Sequence, residues 1–224
     1  LDIRIELEPK HLPTGYPWHA YYGARFAWRD DRSAILRGQN GLSMRTEHTR
    51  PTSPDFIEIK LGREGTTILT GGLPFHQRHG QRMLDTILLP ENEQARSFDL
   101  GLALDRGYPM QLSLGMMSPL PLIPTTKGPP HIGPSGWLFH LDAPNLLLVN
   151  LRPVDDGSRA FVATFLETSG LHGGSAELKC VRNPTHAVTL DGDDNSACGL
   201  TIEGDIVRMD FAAGELFRVR IEMG

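Results

Sequence analysis

The sequence predicts an all-β protein, a large antiparallel β-sandwich. Three observations carry that reading. About fifteen short apolar or alternating runs are separated by turns rich in Gly and Pro. No convincing amphipathic helix interrupts them. One hairpin, near the middle of the chain, can organise the rest. Its two apolar runs, residues 146–151 and 160–166, flank Arg152-Pro153-Val154-Asp155-Asp156-Gly157-Ser158-Arg159. Asp-Gly between two β-rich runs is a turn signal, because Gly accepts a positive φ and Asp can hydrogen-bond its own backbone. Both arms are nearly continuous in apolar residues, which places them in the centre of a packed sheet.

In chain order, residues 1–8 alternate as a strand should. A Pro- and Gly-bearing loop over 10–17 leads into the most aromatic segment, 18–28, whose second half alternates. Asp30-Asp31 makes a turn and 33–37 returns. Residues 56–61 and 66–70 form a second hairpin about the glycines at 62 and 65. Residues 82–89, 98–104 and 110–116 read as further strands. Between 118 and 136 six prolines and three glycines exclude helix and sheet ladder alike. That segment is a crossover within one sandwich domain spanning 1–224, or a linker between subdomains. Strands at 175–181, 187–190, 199–203, 206–211 and 216–221 follow the hairpin.

At 224 residues the chain can bury a sizeable core without staples. Its net charge of −5 is mixed along the sequence, with no basic stripe for nucleic acid. No apolar run reaches bilayer length, and the first residues read as strand rather than signal peptide, so the compartment is left unassigned. Because the chain opens inside a strand-like run without Met, we expect a piece of a longer protein. Cys180 and Cys198 form no disulfide framework and no zinc cluster, and the plain reading is two partly buried thiols.

Several groups are candidates for chemistry. Tyr21 and Tyr22, at the head of the aromatic segment, suit stacking on pyranose rings, as does Trp137. His76 and Arg78 lie in a Gly- and Pro-bounded stretch, His76-Gln77-Arg78-His79, suited to a sugar, an anionic group or a docking domain. His140-Leu141-Asp142 has the spacing of a metal pair, but without a third ligand we read Asp142 as a turn cap. Asp191-Gly192-Asp193-Asp194-Asn195 lacks the calcium-loop pattern and reads as a solvated turn. Asp30, Asp31, Asp155, Asp156 and Glu167 are possible paired carboxylates, most of them in turns. No GxSxG, P-loop or GxGxxG motif occurs, and we assign no catalytic residue in this segment.

Pro144-Asn145 entering a strand, Asp156-Gly157, Phe165-Leu166-Glu167 and Gly170 resemble, in that order, the C-terminal β domain of glycoside hydrolase family 38, the α-mannosidase family. Pro17-Trp18, Tyr21-Tyr22, Arg25-Phe26-Ala27-Trp28, Leu73-Pro74-Phe75-His76 and 82–86 resemble further parts of the same region. The resemblance implies a supersandwich of the galactose-mutarotase-like type. It implies a non-catalytic domain that packs on a zinc-dependent catalytic domain of the same chain and helps shape a carbohydrate cleft. Zinc then belongs to that missing domain, with no cofactor in this segment. The expected partner is a mannose-containing glycan, with no nucleic acid and no membrane. Alternatives are a stand-alone carbohydrate-binding module and a mutarotase-like sugar isomerase.

Overall fold

The structure, a computed structural model, describes residues 1–118 and 137–224. The chain divides into two compact units, Leu1–Pro119 and Leu120–Gly224. Apart from Ser118, the Pro- and Gly-rich crossover expected at 118–136 lies outside the described residues.

The first unit contains β1 (Asp2–Glu6), β2 (Tyr22–Ala27), β3 (Ala34–Gln39), β4 (Leu42–Arg45), β5 (Phe56–Leu61), β6 (Glu64–Leu69), β7 (His76–Arg78), β8 (Met83–Leu89), β9 (Ser97–Leu104) and α1 (Pro109–Met117). Nine antiparallel strands form two sheets, ordered β1-β9-β6-β5-β3-β4 and β2-β8-β7. The β5–β6 hairpin follows from clean alternation closed by a two-residue turn, in which Gly62 adopts φ 62. Ile35, Ile57, Ile59 and Ile68 of the larger sheet bury against Leu84 of the smaller, with Phe26 and Trp28 packed alongside. Leu88 and Leu89 meet Phe98 and Leu100 in a second cluster. Each such side chain stabilises by about 1.5–3 kcal/mol.

The second unit contains β10 (Phe139–Leu141), β11 (Leu146–Pro153), β12 (Ala160–Glu167), β13 (Gly174–Cys180), β14 (Pro184–Leu190), β15 (Ser196–Gly199), β16 (Thr201–Glu203), β17 (Ile206–Phe211) and β18 (Leu216–Met223). They pair as β10-β13-β17-β16 and β11-β12-β18-β14-β15. The inner faces share one core: Ala176, Leu178, Val207 and Met209 against Ala163, Phe165, Phe217, Val219 and Ile221. The all-β antiparallel sandwich expected from the sequence is the observed architecture. No helix among the described residues is long and apolar enough to cross a membrane.

Four local expectations are corrected. Residues 110–116 are helix, not strand. Their apolar residues alternate (Met110, Leu112, Leu114, Met116), which mimics a strand period. Pro109 pre-sets the first helical turn, and the buried pair Met110 and Ser113 shows the helical spacing. The hairpin exists, with β11 antiparallel to β12, but only β12 is interior. β11 is an edge strand, and its Leu148, Val149 and Leu151 are exposed. The turn at Asp30-Asp31 does not fold a hairpin: β2 pairs β8 while β3 pairs β4 and β5, so the chain changes sheet there. Finally, His76–Arg78 is a short strand rather than a loop, because it pairs along β8 from His76↔Thr86 to Arg78↔Leu84.

Three of the residues that carried the family resemblance, Asn145, Glu167 and Gly170, meet in one clasp. Glu167 is fully buried at the end of β12. Its carboxylate accepts hydrogen bonds from Asn145 Nδ2 at 3.0 Å, the N–H groups of Ser169, Gly170 and Gly214 at 2.9, 2.9 and 2.8 Å, and the Ser169 hydroxyl. Burial pushes its pKa up, but these donors outweigh burial and hold it at about 2.

Candidate functional site

The small sheet of the first unit builds the most chemically dense pocket. On β8, the central strand, Asp85 stands directly between Arg25 of β2 and Gln77 of β7. Alternation puts these three side chains on one face. His76 and Arg78 of β7 fall on the other face, with Thr86 and Leu84. The segment before β2 delivers Trp18 and Tyr21 to the Asp85 face, and Tyr22, the first residue of β2, joins them. The result is a concavity of about 620 Å³.

Asp85 is the hub, only 4% exposed. Arg25 donates to it twice, Nε to Oδ1 at 2.7 Å and Nη2 to Oδ2 at 2.8 Å. Tyr21 donates its hydroxyl proton to Oδ2 at 2.8 Å, and His79 Nε2 lies 3.0 Å from the same oxygen. Facing a carboxylate, His79 Nε2 carries a ring proton, and Nδ1 is left outside the cluster. Tyr21 Oη and His79 Nε2 are 3.2 Å apart, closing the cluster. Burial pushes the Asp85 carboxyl up, but the hydrogen bonds from Arg25 and Tyr21 and the Arg25 charge outweigh it, so its pKa falls below the usual range. Burial, then the hydrogen bond and negative charge of Asp85, push the Tyr21 phenol up to about 12. Tyr21 is therefore a fixed strut near neutral pH and not a proton donor to a ligand.

The aromatic wall is held from outside. The Arg50 guanidinium lies 5.2 Å from the Trp18 ring centre, and Phe75 meets Trp18 edge-on at 5.9 Å. Tyr22, 37% exposed, anchors its hydroxyl on the His11 carbonyl at 3.0 Å. Gln77 Oε1 is buried with no hydrogen-bond partner among the described residues.

Of the five residues singled out from the sequence, Tyr21 and Tyr22 come together in this pocket. His76 is fully buried, Nε2 donating to the Ser53 carbonyl at 2.9 Å and Nδ1 accepting from Thr86 at 3.1 Å. Arg78 lines a separate groove with Arg32, Arg45 and Glu47. Trp137 is half-exposed in the second unit, just before β10. Sequence reasoning missed Arg25 and Asp85 as site residues. The signal was their membership of two strand-like runs, both among the family-like segments. Nothing local links positions 60 apart.

Most of the other candidates have structural partners. Asp142 Oδ1 accepts the Glu177 N–H at 2.7 Å, as a cap does, and the exposed His140 beside it completes no donor set for zinc among the described residues. Asp191 accepts the N–H groups of Asp193 and Asn195, both at 2.9 Å, and Asp194 pairs with Arg152 and Arg218. Asp30 pairs with Arg32 at 2.8 Å and Asp156 with Arg220 at 2.8 Å. Cys180, buried, and Cys198, exposed, are both free thiols.

No protein-family model and no curated protein matches the chain. Solved structures do. An alpha-mannosidase from Enterococcus faecalis V583 superposes with a TM-score of 0.63 at 12% identity, over 89% of this chain and 25% of that one. A protein in glycosyl hydrolase family 38 from Enterococcus faecalis gives a TM-score of 0.60 at 11% identity, over 85% and 25%. At these identities the likeness is one of fold. The chain has the fold of a region of glycoside hydrolase family 38 α-mannosidase structures and spans about a quarter of their length.

Proposed function

We propose that this chain is the C-terminal, non-catalytic β region of an α-mannosidase-like glycoside hydrolase. In this reading it packs on a zinc-dependent catalytic domain of the same protein and helps shape the cleft for a mannose-containing glycan. The observation that supports it is the fold likeness, which takes in nearly all of this chain but a quarter of the α-mannosidase structures. The zinc, the nucleophile and the acid–base chemistry then belong outside these residues. The test is α-mannosidase activity, with added zinc, of the 224-residue chain and of the longest reading frame containing it. Activity in the longer protein alone is the expected result. Activity in the 224-residue chain, or a reading frame that encodes no further domain, overturns the proposal.

A second reading, a carbohydrate-binding module, is favoured by the aromatic and polar pocket at Tyr21 and Tyr22. It expects glycan binding by this chain that is lost on Tyr21→Ala or Trp137→Ala. Silence of both proteins in the mannosidase assay shifts the assignment to it.

A further inference from the structure

We infer that the pocket centred on Asp85 binds a single uncharged pyranose ring, its hydroxyls held by Arg25 and His79 and its apolar face against Tyr22. This deepens the carbohydrate reading above by assigning the site and the class of sugar.

Charge decides the class. The pocket lining holds one guanidinium and one carboxylate, and these neutralise each other through the two-point contact of Arg25 with Asp85. An anionic ligand would have to compete with Asp85 for Arg25. A cation would have to compete with Arg25 for Asp85. A neutral polyol needs neither exchange, and it can use the hydrogen-bonding capacity the cluster leaves over.

That capacity is outward-facing. Asp85 is saturated by its four donors, so it orients its neighbours rather than meeting a ligand. Arg25, with its side chain 55% exposed, retains Nη1 as a donor without a hydrogen-bond partner among the described residues. His79, 32% exposed at its side chain, retains Nδ1 as a second hydrogen-bonding position. Two hydrogen-bonding positions fixed by a buried hub suit two hydroxyls of one ring, since a hydroxyl both donates and accepts. Their positions are set before binding, which lowers the entropic cost of association. Gln77 supplies an independent sign. Its buried Oε1 has no partner, and a swing of its terminal amide into the pocket would satisfy it with a ligand hydroxyl. Tyr22 stands beside these groups with a third of its surface open, giving the C–H face of a sugar its platform. A pocket of about 620 Å³ falls within the usual range for small-molecule sites.

The experiment is calorimetric titration of the whole 224-residue chain with the methyl pyranosides of mannose, glucose and galactose, and with glucuronate as the anionic control. The expected result is binding of at least one methyl pyranoside, little changed between about 0.05 and 0.5 M salt. His79→Ala and Tyr22→Ala, both on the open rim, are each expected to weaken it about tenfold or more while far-UV dichroism stays unchanged. Arg25→Gln is a stricter variant, but it also loosens the hub, so the rim variants carry the test. Three results overturn the inference: no methyl pyranoside binding to the folded chain, binding indifferent to both rim variants, or preferential, salt-sensitive binding of glucuronate. Failure here with α-mannosidase activity intact in the longer protein removes the pocket assignment alone. Failure of both removes the proposed function as well.

Discussion

Glu167 shows how much one side chain can hold together. It is a buried carboxylate whose charge is matched by three backbone N–H groups, an amide and a hydroxyl from three separate stretches of chain. Gln in its place keeps the shape, but it turns an NH₂ group toward N–H donors and removes the charge that strengthens every bond. We expect Glu167→Gln to destabilise the chain by about 3 kcal/mol, read as a lower urea midpoint at neutral pH. An unchanged midpoint would mean that the clasp adds nothing to stability. In the sequence Glu167 was one of five carboxylates weighed as a catalytic pair and left unassigned. The order of residues around it was legible, but its burial was not, because burial depends on Gly214 arriving from a distant turn.

At the scale of elements, close backbone approach sets the tolerance of β3. The Ser53 hydroxyl accepts the Gly38 N–H at 3.0 Å and shares its proton between the carbonyls of Gly38 and Phe56. A Cβ on Gly38 would stand 2.6 Å from the Phe56 ring, which is fully buried and cannot move aside. Gly38→Ala is therefore expected to cost about 1–3 kcal/mol, checked by thermal unfolding. Gly62→Ala is instructive beside it, since no atom lies within 4 Å of its Cβ and the cost there is only that of a positive φ, about 1 kcal/mol. If the two variants melt together, packing against Phe56 is not what constrains β3. The β2-β8-β7 sheet is the other informative element. The alternation of β2 and the strand character of β8 were readable, but not their pairing, and the pairing is what sets Arg25 opposite Asp85.

For the whole molecule, acid is the condition that separates folded from unfolded. Burial lowers the His76 pKa from 6.5 to about 4. Below pH 6.5 the unfolded chain therefore binds a proton that the folded chain refuses. Stability is full above that pH and declines as pH falls toward 4, by up to about 3 kcal/mol. The folded pKa of Glu167 is likewise depressed, from 4.5 to about 2, so its contribution is present above 4.5 and is lost as pH falls toward 2. Urea midpoints between pH 7 and 4 should fall first with His76, and His76→Asn should flatten that upper limb. A midpoint that holds constant from pH 7 to 4 in the parent chain would contradict the buried neutral imidazole.

Local chemistry in the chain determined the all-β class, most strand positions and the turns, because period-two alternation and the φ freedom of Gly act over a few residues. It also marked Tyr21 and Tyr22 as candidates, since an aromatic cluster is visible without partners. Only the tertiary structure decided that residues 109–117 coil into a helix, where Pro109 and the burial of Met110 and Ser113 override an alternating pattern. It likewise decided that the apolar β11 lies at a sheet edge, that His76 is inaccessible, and that Arg25, His79 and Asp85 converge on Tyr21. The physical reason is common to the last three. Which strand lies beside which is a long-range choice made by the packed cores, and no residue carries a local mark of its neighbour across the sheet.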